Sequence, residues 1–129
     1  MIEKKIISTD KAPEAIGPYS QGVIAEEFIF ISGQGAIDPV TNNYKPATIE
    51  EETELALNNI KAIVESAGGS LSDIVKVAVF LSSMDDFPSF NKVYERFFPE
   101  YPPARSCIEA SRLPKGFKVE IEAIALRRG

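Results

Sequence analysis

The sequence predicts an α+β fold of two layers: a mixed sheet of about six strands with two helices on one face. Three observations carry that expectation. Two stretches repeat apolar residues at three-to-four spacing, several short stretches are β-branched or alternate at period two, and in chain order they read β, ββ, α, β, α, ββ. At 129 residues, with no internal repeat and no low-complexity stretch, residues 1–129 read as a single domain. Two helices cover one face of such a sheet, so the other face is expected to be buried by another subunit.

Lys4 to Ser8 forms the first strand, and the Pro- and Gly-rich stretch Ala12 to Gly22 is a loop. Val23 to Ala25 and Phe28 to Ser32 flank Glu26-Glu27 as a hairpin. Asp38-Pro39-Val40-Thr41-Asn42-Asn43 is a turn-rich surface loop, after which Thr48 and Glu51 make a capping box. In the helix that follows, Leu55, Ala56, Ile60, Ile63, Val64 and Ala67 fall at helical spacing. The acidic residues from Glu50 to Glu54 sit at its positive dipole end, and Gly68-Gly69 closes it. Ile74 to Leu81 is apolar apart from Lys76 and reads as a central strand with both faces mostly covered. Asp85 or Asp86 caps a second helix with Phe87, Phe90, Tyr94, Phe97 and Phe98 on one stripe, and Pro99 ends it. Arg105 to Ala110 and Phe117 to Leu126 alternate at period two and complete the sheet.

With 44% apolar and 26% charged residues the composition is that of a folded chain. The absence of histidine excludes a Ser-His-Asp triad, a Cys-His dyad and a His-ligated metal. Cys107 is the lone cysteine, so an internal disulfide and a CxxC motif are excluded too, which fits a reducing compartment. A net charge of -5 repels a phosphate backbone, and nucleic acid is not an expected partner. Residues 101–129 nevertheless hold six bases against three acids, enough to hold a small anion. Met1 to Ala12 shows neither an apolar signal core nor a cleavage site, and no apolar run reaches the roughly 18 residues of a membrane span. A cytoplasmic protein is expected.

Gly33-Gln34-Gly35-Ala36-Ile37-Asp38 misses the dinucleotide fingerprint twice, because Asp38 stands at its third glycine and Pro39 opens a turn instead of a helix. Gly17-Pro18-Tyr19-Ser20-Gln21-Gly22 is not a GxSxG elbow; it reads as a loop that positions Tyr19. Pro103-Ala104-Arg105-Ser106-Cys107 is more informative, since alternation places Arg105, Cys107 and Glu109 on one face. On the last strand Lys118, Glu120 and Glu122 share a face. An arginine fork fits a carboxylate in bidentate fashion and a glutamate can orient or activate water, the raw material for hydrolysing a small carboxylate. The plainer alternative is a cross-strand ion pair of Arg105 with Glu120 or Glu122, with Cys107 as inert packing and Asn91 as a surface residue.

Several segments together resemble the RidA branch of the Rid (YjgF-type) family of reactive intermediate deaminases. They are Ala15 to Gly22, Ser32-Gly33-Gln34, Asn58 to Gly68, Asp73 to Lys76, Asn91 with Tyr94, Pro103 to Cys107, Arg112 to Lys115, and Val119 to Ala125. The resemblance implies a chorismate-mutase-like fold and a homotrimer with clefts between subunits. It also implies hydrolysis of 2-imino acids and enamines (2-aminoacrylate, 2-iminopropanoate, 2-iminobutanoate) to 2-keto acids and ammonia, with no cofactor and no metal. Carried over, Arg105 grips the substrate carboxylate and Glu120 orients the attacking water. Cys107 and Gly33 line the cleft through backbone groups, Tyr19 walls it, and Ser32 and Asn91 are lesser members. The loop Pro99 to Pro103 looks short against the family pattern. Translation inhibition, endoribonuclease activity, or a ligand-sensing or chaperone-like trimer are the alternatives the same family offers.

Overall fold

The computed structural model describes residues 3–128; Met1, Ile2 and Gly129, the ends of the expected domain, lie outside them. Strands β1 (Lys4–Ile7), β2 (Gly22–Ala25) and β3 (Phe28–Gln34) form an antiparallel meander. β3 then pairs with β6 (Val119–Leu126), which pairs antiparallel with β4 (Ile74–Leu81). β5 (Ala104–Glu109) joins β4 as a parallel edge strand, giving the order β1-β2-β3-β6-β4-β5. Parallel neighbours cannot be joined by a tight hairpin, and helix α2 (Phe87–Phe97) makes the crossover between them. Helix α1 (Ile49–Ser66) packs beside α2 on the same face, closing a core with Ile29, Val77, Val79, Leu81 and Ile121. The sheet is mixed and the domain two-layered, as the sequence predicts.

The ends of α1 follow their predicted signals. Thr48 Oγ1 accepts the Glu51 N–H at 3.2 Å while the Glu51 carboxylate accepts the Thr48 N–H at 3.4 Å. At the other end Gly68 takes φ +87°, its N–H bonds Glu65 O at 3.0 Å, and Gly69 N–H bonds Val64 O at 2.9 Å, a Schellman turn. The buried stripe differs in one member: Leu57 is fully buried and Leu55 only half so. Positions i and i+2 on a helix lie about 200° apart, so Leu55 and Leu57 face opposite ways, and Leu57, three before Ile60, is the one on the sheet-facing side.

Three other expectations need correction. The Asp86 side chain makes no cap; Ser83 Oγ accepts the Asp85 N–H at 3.2 Å and caps the 3₁₀ turn Met84–Asp86 that leads into α2. β4 is covered on one face only: Ile74, Val77, Val79 and Leu81 lie under the helices, whereas Ala78 and Phe80 are half-exposed on the other. That open face also shows Phe28, Phe30 and Ile108 to solvent. Phe117 and Lys118 precede β6 instead of beginning it, because the 3₁₀ turn Pro114–Gly116 turns the chain just before them.

Lys118 leaves the company of Glu120 for Glu52, a fully buried carboxylate of α1 that the sequence analysis passed over. Glu52 accepts hydrogen bonds from Tyr44 Oη at 2.8 Å, Ala47 N at 3.2 Å and Lys118 N at 3.0 Å, with Lys118 Nζ at 3.5 Å. It ties the approach to α1 to the start of β6; burial raises the Tyr44 hydroxyl pKa to about 12, and the Glu52 hydrogen bond and charge add to the rise. Glu52→Ala is expected to lower the unfolding free energy by roughly 1–3 kcal/mol, because it leaves the Tyr44, Ala47 and Lys118 donors without their acceptor while the half-exposed Lys118 ammonium can turn to water. A urea titration that moved by less than about 1 kcal/mol would deny the carboxylate this anchoring role.

Candidate active site

Arg105 lies on β5 opposite Val77 of β4, and partners in a parallel pair point to the same side. Val77 is in the core, so Arg105 also points to the helix-covered face. There α2 presents Phe87, Phe90, Asn91 and Tyr94, spaced i, i+3, i+4, i+7 and hence on one stripe. The guanidinium carbon stands 4.7 Å from the Tyr94 ring centroid, 5.5 Å from that of Phe87 and 5.6 Å from that of Phe90. Arg105 Nη1 donates to Asn91 Oδ1 at 2.9 Å. Among the described residues Arg105 has no ion-pair partner. A cavity of about 450 Å³ opens beside it, walled by Asn91, Tyr94, Phe98 and Pro102.

Cys107 follows on the same face, opposite Val79, and packs partly into the core. Burial pushes its thiol up by more than the nearby Arg105 charge pulls it down. It stays a thiol at neutral pH, which disfavours it as a nucleophile.

Glu120 belongs to the other face. It lies opposite Phe80, between the buried Val119 and Ile121, and so projects from the side the helices leave bare. Its neighbour is a bulge in β3: Ile31 pairs with Ala123 and Gln34 with Ile121, leaving Ser32 and Gly33 opposite one residue of β6. A Cβ on Gly33 would come within 3.0 Å of the Glu120 carboxyl carbon and Oε2, so glycine is what permits the approach. Burial raises the Glu120 pKa above the ordinary glutamate value, and the Glu122 charge adds to the rise. Glu120 lines a cavity of about 350 Å³ with Tyr19, Gly33, Gly35, Lys115 and Phe117.

Two buried amides that the sequence analysis missed hold this half in place. Gln21 Nε2 donates to Thr9 O at 2.9 Å and Pro13 O at 2.7 Å, and its Oε1 accepts the Thr9 N–H at 2.7 Å, which folds the Tyr19 loop. Asn59 of α1 donates to Gly35 O at 3.2 Å and Ile37 O at 2.9 Å. Tyr19 is further set by its N–H to Gly17 O at 2.9 Å. Ser32 sits in the bulge next to Gly33 and donates its hydroxyl to Ser20 O at 2.6 Å, and it does not line this cavity.

The predicted residues therefore form two groups. Tyr19, Gly33 and Glu120 share one cavity, which Ser32 does not line; Asn91 and Arg105 share another, with Cys107 next on the same strand face but outside its lining. The groups lie on opposite faces of one sheet, which removes the cross-strand pairing of Arg105 with Glu120 or Glu122. Among the described residues, no cluster of three His, Cys, Asp or Glu side chains is placed to hold a metal ion.

Fold and site define a two-layer α+β protein with a guanidinium that has no ion-pair partner among the described residues on one face and a partly desolvated carboxylate beside a strand bulge on the other. The family model described as Endoribonuclease L-PSP matches residues 9–127, and the chain belongs to that family, the Rid (YjgF-type) proteins. It is 50% identical over 127 residues to a 2-iminobutanoate/2-iminopropanoate deaminase of Escherichia coli, covering 96% of this chain and 98% of that one. The crystal structure of Escherichia coli TdcF with bound serine superposes with a TM-score of 0.91 at 48% identity, covering 96% and 99% of the two chains. Yeast Mmf1 gives 0.94 at 38% identity, covering 98% and 100%.

The raised Glu120 pKa has a stability consequence of definite sign. The stability its protonated form contributes is fully present below the ordinary value of about 4.3 and is lost as pH rises through the elevated native value. Glu120→Gln is therefore expected to be more stable than the parent at pH 7, with the gap closing below about pH 4. Equal urea midpoints at pH 7 would show that the carboxylate is not desolvated in the folded protein.

Proposed function

We propose that the chain, as one domain over residues 1–129, is a cytoplasmic hydrolytic deaminase. It converts 2-imino acids and their enamine tautomers, such as 2-aminoacrylate, 2-iminopropanoate and 2-iminobutanoate, to 2-keto acids and ammonia without a cofactor. The observation that carries the reading is the Arg105 guanidinium, held on α2 with no acid paired to it. A two-pronged donor without a counter-charge is suited to a small carboxylate. The 50% identity to a deaminase of that specificity, and serine in the TdcF crystal structure, support the choice of ligand.

Arg105 and Glu120 occupy opposite faces, so a site that uses both is assembled between copies of the chain. The apolar open face with Phe28, Phe30 and Ile108 is where such copies would pack, and a homotrimer with sites at its clefts satisfies both demands. In each cleft Arg105 binds the carboxylate with Asn91 beside it. Tyr19 and Ser32 border the substrate, and Gly33 and Cys107 line the site through their backbones.

Glu120 holds a water against the electrophilic iminium carbon. As the C–O bond forms, a water proton passes to Glu120; returning it to nitrogen makes an ammonium leaving group. The C–N bond then breaks and the hydroxyl proton departs with the amine, leaving keto acid and NH₄⁺. A carboxyl raised above its ordinary pKa is better matched to both transfers than an exposed glutamate. An imine carbon is already electrophilic, so positioning and electrostatics suffice without a covalent intermediate. An RNA-cleaving role, which the family description names, fits less well: the chain carries -5, and Glu120 and Glu122 share the face at issue. A non-catalytic binder would need Arg105 but not Glu120.

The direct test generates 2-aminoacrylate or 2-iminobutanoate with a PLP-dependent lyase and traps it with semicarbazide. The protein is expected to lower the trapped fraction, and an unchanged fraction over a wide protein range would sink the deaminase reading. Arg105→Lys should lose most activity, mainly through binding, since an ammonium cannot supply two parallel hydrogen bonds. Glu120→Gln should lose roughly two to four powers of ten in rate while Cys107→Ser keeps most of its activity. The reverse pattern would replace this mechanism with a thiol-based one. Light scattering at micromolar concentration should give three times the chain mass, and a clean monomer would contradict a shared site.

A further inference from the structure

Resting on Arg105 as the carboxylate-binding group, we infer that the aromatic stripe of α2 is a holder for its guanidinium, with Tyr94 and Asn91 as positioning residues. Three rings stand within 4.7–5.6 Å of the guanidinium carbon, and among the described residues its one hydrogen bond is donated to the oxygen of a neutral amide. This combination is chemically particular. Ring faces attract a cation through their quadrupoles, and an amide oxygen through its dipole; neither brings a negative charge. An Asp or Glu in the same place would hold the arginine as firmly but would neutralise it and occupy the donors that a substrate needs.

The geometry also divides the donors. Asn91 takes an N–H of Nη1, on the side toward α2, which leaves the Nε and Nη2 edge for a bidentate carboxylate. Glu95 of α2 lines the same cavity, with Lys92 also in the lining, but neither it nor Glu109 of β5 makes an ion pair with Arg105 within 4 Å, and Glu109 accepts the Met84 N–H at 2.9 Å instead.

Tyr94 is the closest ring and packs against two others, Phe90 at 5.5 Å and Phe98 at 4.7 Å between centroids. Its hydroxyl is buried and makes no hydrogen bond among the described residues, and burial drives its pKa to about 12, so it remains a neutral phenol. What Tyr94 offers Arg105 is therefore the ring face. Removing the hydroxyl should leave the holder intact, and removing the ring should not.

The test measures binding of 2-ketobutyrate by calorimetry, alongside imine-hydrolysis kinetics and urea stability, on the full-length assembled protein. Asn91→Asp is the decisive variant. It sets a carboxylate against the guanidinium, so it should match or exceed the parent in stability yet bind 2-ketobutyrate at least tenfold more weakly, with KM raised and kcat changed less than threefold. Asn91→Ala should weaken binding about threefold. Tyr94→Leu should weaken it roughly tenfold, within the range of a desolvated cation–π contact, and Tyr94→Phe should stay within twofold of the parent. Parent-like binding by Asn91→Asp overturns the inference, as does a loss in Tyr94→Phe equal to that in Tyr94→Leu. If Tyr94→Leu does not fold, the two Asn91 variants decide alone. Arg105→Ala separates the two levels of the argument: parent-like binding there refutes the reading of Arg105 itself. Lost binding there, with Asn91→Asp unaffected, refutes only the holder.

Discussion

The pleat of a single sheet sets the chemistry of this protein. Side chains alternate between the faces of a strand, and the register of β4 with both neighbours fixes which alternation Arg105 and Glu120 follow. Arg105 shares the face of Val77, under α2; Glu120 shares the face of Phe80, which no helix covers. Sliding either strand by one residue would flip its whole set of side chains and drive charge into the core. The same buried residues that stabilise the domain, Val77, Val79 and Ile121, therefore hold the two functional groups apart. On the proposed reading this separation is what makes the site a property of an assembly.

Regular ladders place both Arg105 and Glu120, but irregular backbone shapes the cavity around Glu120, and the supports differ accordingly. β5 delivers Arg105 by strand pairing and α2 receives it by helical spacing. The Glu120 cavity is made of loop 12–21, the bulge at Ser32-Gly33 and the turn at 114–117, where ladder hydrogen bonds are missing. Buried side chains take over. Gln21 satisfies backbone groups of the first loop, Asn59 those of the segment after the bulge, and Glu52 the N–H of Lys118 at the entrance to β6. Three polar residues in the interior answer to three stretches of backbone that cannot satisfy themselves.

Much of this was legible in the sequence because it is local. The capping box at Thr48, the glycine closure of α1, the alternation through Arg105 and Cys107, and the aromatic stripe from Phe87 to Phe98 all depend on residues within a few positions of each other. What was not legible depends on pairing. Alternation says that Glu120 and Glu122 share a face but not which face, and an ion pair with Arg105 remained open until β6 was seen between β3 and β4. The bulge leaves only a glycine in the sequence, and Glu52 reads as one of a run of acidic residues suited to a helix N-terminus. For Glu52 the missing signal is three-dimensional, since its partners Tyr44 and Lys118 are brought together by β6 and the loop before α1.

A chain without histidine has to shape its ionisable groups through their surroundings. A histidine titrates near neutral pH without help, whereas a glutamate reaches toward that range only if its surroundings disfavour charge, and an arginine never leaves its charged state. The fold treats the two groups in opposite ways. Glu120 is half-buried with Glu122 on its own face, so its proton is held more tightly than in water. Arg105 is surrounded by rings and one amide, which fix its position without cancelling its charge. A carboxylate next to Arg105 would merge them into an inert ion pair; kept on opposite faces, one stays a carboxyl of raised pKa and the other a cation without an ion-pair partner among the described residues.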